Sequence, residues 1–345
     1  MANFMDVFHS LWAEIIYMMS PLTDILDQRS IFSYLGAIFF VFLFIVIVRL
    51  RRPHKEIRGR ALWRLLTKRS VWLHRSALLD YKLYLFNLPL MAFVLGFFIV
   101  SSSFWSNLFT SGLTSLFGPA ATTTSTHWGI IAMLAVVQVL ALDFGYWLGH
   151  AAMHKSPILW QFHKLHHSAE VMTPATEFRQ HPVELILMPC VIGVTTGFSY
   201  AVTTHWFGTG AVAMGTVGYN IILCVHMLTF HHVRHSHINI PFTGVMGLIL
   251  HSPAHHQIHH SDNPKHFDRN MGYMLSIWDW LAGTLHMPQP GERVVLGVGH
   301  EGEEHDSVAN AIWVPFRDAG MLIRKKSLRI WRRVRPHAVA NKDAG

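Results

Sequence analysis

Ten histidines of this chain fall into four clusters: His150 with His154; His163, His166 and His167; His231 with His235; and His256, His259 and His260. Residues three or four apart project from one face of a helix, so each cluster can present its imidazoles to a common point between helices. Neutral imidazole ligates iron, zinc, copper or nickel, and ten such groups suit two metal ions. The spacing therefore points to a metal centre without choosing the element. Of the 26 histidines, eighteen lie between His150 and His266, which makes this stretch the place to look for function. His232, His237, His251 and His255 neighbour the chosen residues and leave the register within clusters open. The isolated His9, His54, His74, His127, His205, His286 and His337 read as ordinary polar side chains.

Other metal patterns fail. The HExxH arrangement is absent, because His300 and His305 are five residues apart and leave a common helical face. The ExxH pattern of soluble di-iron bundles does not occur. Asp143 is the conspicuous carboxylate, seven residues before His150 and about 10 Å from it along a helix axis. An unpaired carboxylate inside a span costs about 2.5 to 3.5 kcal/mol. It is expected to accept a proton from a ligating imidazole's far nitrogen; a helix–helix hydrogen bond to Tyr or Trp is the alternative.

These residues must be positioned by membrane helices. Of 345 residues, 51% are hydrophobic and 14% charged, against about a quarter charged in soluble domains. That composition excludes disorder and a string of soluble domains. Cys190 and Cys224 lie in apolar runs, so neither a disulfide framework nor a thiolate metal site is available. Apolar stretches long enough to span run from Ile31 to Val48 and from about Leu83 to Phe104, Gly129 to Gly149, Leu185 to Thr204 and Thr209 to Leu228. The fold expected is an all-α polytopic bundle of five spans, or four if the last two form a re-entrant pair, with a helical cap holding the histidines. Its regions are 1–128, with the first spans and a basic loop; 129–288, with the metal site; and 289–345, more polar and ending in a basic tail. The run at Ile31 is too long and too late for a cleaved signal peptide.

Eleven Lys or Arg lie between Arg49 and Lys82 and nine between Arg317 and Lys342, while Trp105 to Trp128 carries none. The positive-inside rule puts the basic loop and the tail in the cytoplasm, and the histidine runs emerge on that same face. In a bacterium this would be the cytoplasmic face of the inner membrane. The net charge of +8 gathers beside spans and in LIRKKSLRIWRRVR, where it suits anionic lipid or plain topogenic charge, not nucleic acid.

At these histidines the sequence resembles the fatty acid hydroxylase and sterol desaturase superfamily of membrane di-iron enzymes. The family's HxxxH motif matches His150 to His154, and its HxxHH motif matches His163, His166 and His167. The final HxxHH matches His256, His259 and His260, followed by Asn270-Met271-Gly272 and a WDxxxGT-like segment from Trp278 to Thr284. The pair His231 and His235 is similar to a weaker internal motif, and RQHPVE from Arg179 to Glu184 would set His181 beside the site, although Pro182 also marks a helix start there. Ala151 stands where the family commonly has Arg after the first ligand. The match covers about Asp143 to Thr284.

The resemblance implies two iron ions, O2 as co-substrate and hydroxylation of an unactivated C–H bond in a membrane lipid: an acyl chain, a sterol-like ring or a head group. Desaturation shares the first hydrogen abstraction and is the close alternative. No cytochrome b5-like or flavin segment is visible, so electrons are expected from a separate NAD(P)H-linked donor, a ferredoxin- or cytochrome b5-like protein with its reductase. A metal transporter is a further alternative, but it would space polar ligands through the bilayer, whereas these clusters sit at span ends.

Overall fold

Long apolar segments dictate long helices, and the computed structural model, which describes residues 63–64, 66–122, 127–289 and 291–334, is built from them. The expected span Ile31–Val48, most of the basic loop and the end of the tail lie outside the described residues. Helix α1 is Arg75–Asn87, α2 Met91–Phe117, α3 Trp128–Lys155, α4 Pro157–His167, α5 Pro182–Phe207 and α6 Thr209–His226. Helix α6 continues through a π-helical turn, Met227–His231, and a short α turn, His232–Arg234. Beyond a short helix, Gly244–Ile249, come α7 Pro253–His259, α8 Ile277–Ala282 and α9 Val308–Val334. Among the described residues there are no strands, only two isolated bridges.

Four helices are long and apolar enough to cross a membrane, Phe93–Phe117, Trp128–Lys155, Pro182–Phe207 and Thr209–Arg234, so this is a multi-pass membrane bundle. The last two are separate full-length helices, 26 residues each, turning at Gly208 with φ 78°, and not a short re-entrant pair. The first of the four begins later than Leu83. Pro89 places a 3-10 turn, Leu88–Leu90, between α1 and α2, and the buried Asn87 amide donates to Phe178 O and Gln180 O at 3.0 and 2.9 Å. That polar anchor keeps α1 out of the apolar span.

Small residues let the spans approach. A Cβ at Gly197 of α5 would lie 2.7 Å from Ser102 O and 2.9 Å from Ser106 N of α2, and one at Gly145 of α3 would lie 2.9 Å from Ile192 Cα of α5. Without a hydrophobic driving force between helices in lipid, such close backbone packing is what associates them. The outward side of α2 shows Phe93, Leu95, Val100 and Phe104, as a lipid-facing surface should.

The cap is pinned to this bundle. Leu79 and Leu83 of α1, Leu165 of α4 and Ala311 of α9 form one buried cluster. Ser156 ends α3 in an extended conformation, and its hydroxyl accepts from Leu159 N to start α4 with Pro157 in the first turn. Below α4, Arg179 and Asp80 form a buried ion pair at 2.8 Å. The same guanidinium donates to Leu165 O at 2.9 Å and Ser168 Oγ at 2.8 Å, and Thr176 Oγ1 donates to Asp80 Oδ2 at 2.7 Å. Three chain segments thus meet on one guanidinium. Removing one partner of a buried pair leaves an uncompensated charge at a cost of about 3–5 kcal/mol. Arg179→Ala should therefore lower the detergent-solubilised protein's unfolding temperature sharply, and Arg179→Lys should recover little because one ammonium cannot reach all these acceptors. An unfolding transition unchanged from wild type would contradict this role.

Candidate metal centre

The structure gathers nine of the ten clustered histidines into two groups. His150, His154, His163, His167 and His259 form one; His166, His235, His256 and His260 form the other; within each, the ligand atoms lie within 4.8 Å of one another. The sequence clusters are not the spatial groups. On α4, His163 and His167 share a face and enter the first group, while His166 turns to the second. On α7, His259 joins the first group, and His256 with the capping His260 joins the second. Each of these helices therefore feeds both groups, and the rings of His167 and His260 stack at 4.4 Å where the groups meet.

Convergence is through Nε2. His150 Nε2 lies 3.0 Å from both His163 Nε2 and His259 Nε2, and His167 Nε2 lies 3.1 Å from His163 Nε2. In the second group His235 Nε2 is 3.1 Å from His166 Nε2 and 2.7 Å from His256 Nε2, which is 3.1 Å from His260 Nε2. Nitrogens about 2.1 Å from a shared ion lie about 3.0 Å apart where neighbours subtend a right angle. The donor set therefore fits two transition-metal ions, through soft-to-borderline nitrogen ligands that also suit iron.

Two far nitrogens meet carbonyls and two lie beside carboxylates, the kind of support metal-bound imidazoles use, whereas those of His166, His256 and His260 have no hydrogen-bond partner. His150 Nδ1 faces Met271 O at 2.8 Å and His259 Nδ1 faces Arg269 O at 2.7 Å. His163 Nδ1 lies 3.1 Å from Glu184 Oε1 and His235 Nδ1 lies 2.6 Å from Glu177 Oε2, close contacts without hydrogen-bond alignment. Glu177 and Glu184 were not singled out by sequence; for Glu184 the available signal was a carboxylate in the first turn of an otherwise apolar span, while Glu177 sits in the 3-10 turn Pro174–Phe178.

Four expectations change. His231 stands in neither group: it closes the π-helical turn, and its Nδ1 meets Tyr273 OH at 3.0 Å. Asp143 reaches no imidazole, because its oxygens accept from Met274 N, Leu275 N and Trp278 Nε1 at 2.7, 3.2 and 2.8 Å. It steadies the loop whose Met271 O faces His150, with Asp279 doing the same from Met271 N and Gly272 N at 3.0 and 2.7 Å. His181 caps α5 by accepting from Val183 N, and its Nε2 donates to Ile312 O of α9 at 3.1 Å. Asn270, at φ 56°, holds His286 by both its backbone groups and does not enter the centre. His251 and His255 also stay outside both groups, the latter against Ser252 Oγ at 2.6 Å.

A cavity of about 560 Å3 opens onto the first group through His154, His167 and His259, with Trp160 and Phe267 as apolar wall and Lys155 and Asp268 paired at 2.6 Å on its rim.

Residues 135–284 match the sequence model of the fatty acid hydroxylase family. That family's domain is thus recognised in this stretch, 150 of the 345 residues. The chain is 29% identical over 164 residues to the alkylglycerol monooxygenase of Homo sapiens, covering 47% of this chain and 32% of that one. The enzyme of the same name from Caenorhabditis elegans is 25% identical over 177 residues, covering 50% and 30%. Ornithine lipid hydroxylase OlsE of Rhizobium tropici is 27% identical over 169 residues, covering 49% and 46%. The chain thus spans under half the length of these relatives. No solved structure matches.

Burial, reinforced by neighbouring imidazoles, holds His163, His166, His167, His256, His259 and His260 well below the ordinary imidazole value. They stay neutral, the form that ligates. The unfolded chain takes up protons near pH 6.5 that these native rings refuse. Stability is therefore full above that value and falls as pH drops below it. The unfolding temperature of chelator-treated protein should decline on acidification from pH 7.5 to 5.5; a flat profile would contradict neutral burial.

Proposed function

We propose that this chain is an O2-dependent lipid hydroxylase in which the two imidazole groups hold a pair of iron ions. The ligands assigned are His150, His154, His163, His167 and His259 for one ion and His166, His235, His256 and His260 for the other. What carries the reading is the pairing of two adjacent all-imidazole groups at one end of an apolar bundle. It is supported by relatives named as a monooxygenase of alkylglycerols and a hydroxylase of ornithine lipids. The substrate is accordingly taken to be a membrane lipid with a polar head group.

Bound iron would supply O2 reduction and the oxidation of an unactivated C–H bond, one oxygen atom entering the lipid and the other leaving as water, with electrons from an NAD(P)H-linked ferredoxin- or cytochrome b5-like donor. The protein's own contribution is placement and exclusion. Glu177 and Glu184 set a carboxylate beside His235 and His163, and the carbonyls of Met271 and Arg269 orient His150 and His259, which fixes the tautomer of those two rings. Trp160 and Phe267 line the approach to His154, His167 and His259 and keep the reacting carbon away from water. The Lys155–Asp268 pair offers a polar rim for a head group. By the positive-inside count this end of the bundle faces the cytoplasm, where a soluble donor can dock. A metal-transport reading is disfavoured because the ligands collect at one end of the spans instead of stepping through them.

Purified protein should retain about two irons per chain and place one 18O atom from 18O2 into a polar lipid when supplied with reductant. His167→Ala should abolish that incorporation with normal yield of folded protein, and Glu177→Gln should weaken metal retention by about 10- to 100-fold. Comparative lipidomics of cells with and without the gene identifies the product, and an added double bond in place of the oxygen would turn the reading to desaturation. Unchanged lipids together with altered cellular metal uptake would overturn it.

A further inference from the structure

Beyond the paired centre, a third cluster of ligating side chains closes the loop that supports it. His266 Nε2 and His286 Nε2 lie 3.1 and 2.9 Å from the same oxygen, Glu292 Oε1, and the three ligand atoms lie within 4.8 Å of one another. His266 is buried, and its Nδ1 has no partner, so nothing else in the protein dictates which of its nitrogens carries the proton. His286 and Glu292 are 28% and 18% exposed, enough for an ion and a water to reach the cluster from solvent. Glu292 Oε2 accepts from Gln289 N at 3.0 Å, which aims the other oxygen at the imidazoles.

We propose that His266, His286 and Glu292 form a third, independent cation site of the two-histidine, one-carboxylate type, taking a zinc-like divalent ion with water in the open position. Ligands about 2.0–2.1 Å from a tetrahedral zinc ion lie about 3.3 Å apart, so the two nitrogen–oxygen separations are within a few tenths of an ångström of that spacing. Two neutral imidazoles donating to one carboxylate oxygen would give the same separations without an ion, and the experiment must distinguish the two.

The location gives the site a purpose. His266 and His286 bracket the segment whose Arg269 and Met271 carbonyls face His259 and His150. Asn270 ties this segment to α7 and to its far end, donating to His255 O at 3.2 Å and to His286 O at 2.8 Å and accepting from His286 N at 2.7 Å. An ion joining His266 to His286 would clamp the two ends of the loop that orients two imidazoles of the paired centre.

The test uses full-length protein in detergent, stripped with chelator, saturated with Zn2+, passed through gel filtration and counted for zinc by mass spectrometry. Glu292→Gln, which keeps a carbonyl acceptor for an imidazole, and His286→Asn should each hold one zinc fewer than wild type. In wild-type protein, zinc should also protect His286 from acylation by diethyl pyrocarbonate, a reading that needs no variant to fold. Because protection of His286 is read at this site in wild-type protein, that result stands whatever metal or activity the paired centre has. Equal zinc in all three proteins, or His286 acylated at the same rate with and without zinc, would overturn the proposal.

Discussion

The Nε2 atoms of His150 and His259, 3.0 Å apart inside a buried cluster, cannot satisfy one another. A neutral ring has one N–H and one lone pair, and here the outward Nδ1 of His150 and of His259 is directed at a carbonyl. Once the proton sits on Nδ1, Nε2 is a bare acceptor facing other bare acceptors. Protonating the rings to provide donors would bury several positive charges together, which desolvation opposes. A shared cation resolves the conflict at both rings simultaneously, and the rest of the architecture can be understood as keeping those lone pairs aimed inward.

Interleaving is how the helices do this. Because α4 and α7 each send side chains to both groups, the two groups cannot drift apart without unwinding a helix. Helices α3 and α6 enter from the apolar bundle and supply His150, His154 and, just past the span, His235. The cap is fixed from beneath by Arg179, which gathers α1, the end of α4 and the turn before α5 on one guanidinium. The loop after α7 supplies carbonyls to His259 and His150 and is itself held by Asp143 and Asp279. Rigid scaffolding of this kind around ligands is what lets an imidazole site keep its geometry in a mobile solvent such as lipid.

The histidine spacings made the site legible in the sequence, because i, i+3 and i+4 placements are local and survive any tertiary arrangement. Hydropathy made the four described spans legible, though it extended one of them back across Asn87, whose amide is committed to Phe178 and Gln180. What spacing could not tell was how the clusters divide. His163, His166 and His167 read as one unit along the chain but face different groups. Nor could it tell which carboxylates mattered: Asp143 lies on the right stripe but is taken by the backbone of a loop 131 residues away, while Glu177 and Glu184 approach the rings from a 3-10 turn and a helix start. His231 has suitable spacing from His235, but the π-helical turn that ends at His231 breaks the helical register and leaves its ring on Tyr273. In each of these cases a long-range contact overrode a correct local rule.

X-ray absorption at the iron edge of the iron-loaded protein tests the paired imidazole centre most directly. A nitrogen-dominated inner shell with the outer-shell scattering of imidazole rings around both irons is the predicted result. An oxygen-dominated shell of carboxylates and water, or iron that fails to bind at these rings, would contradict it.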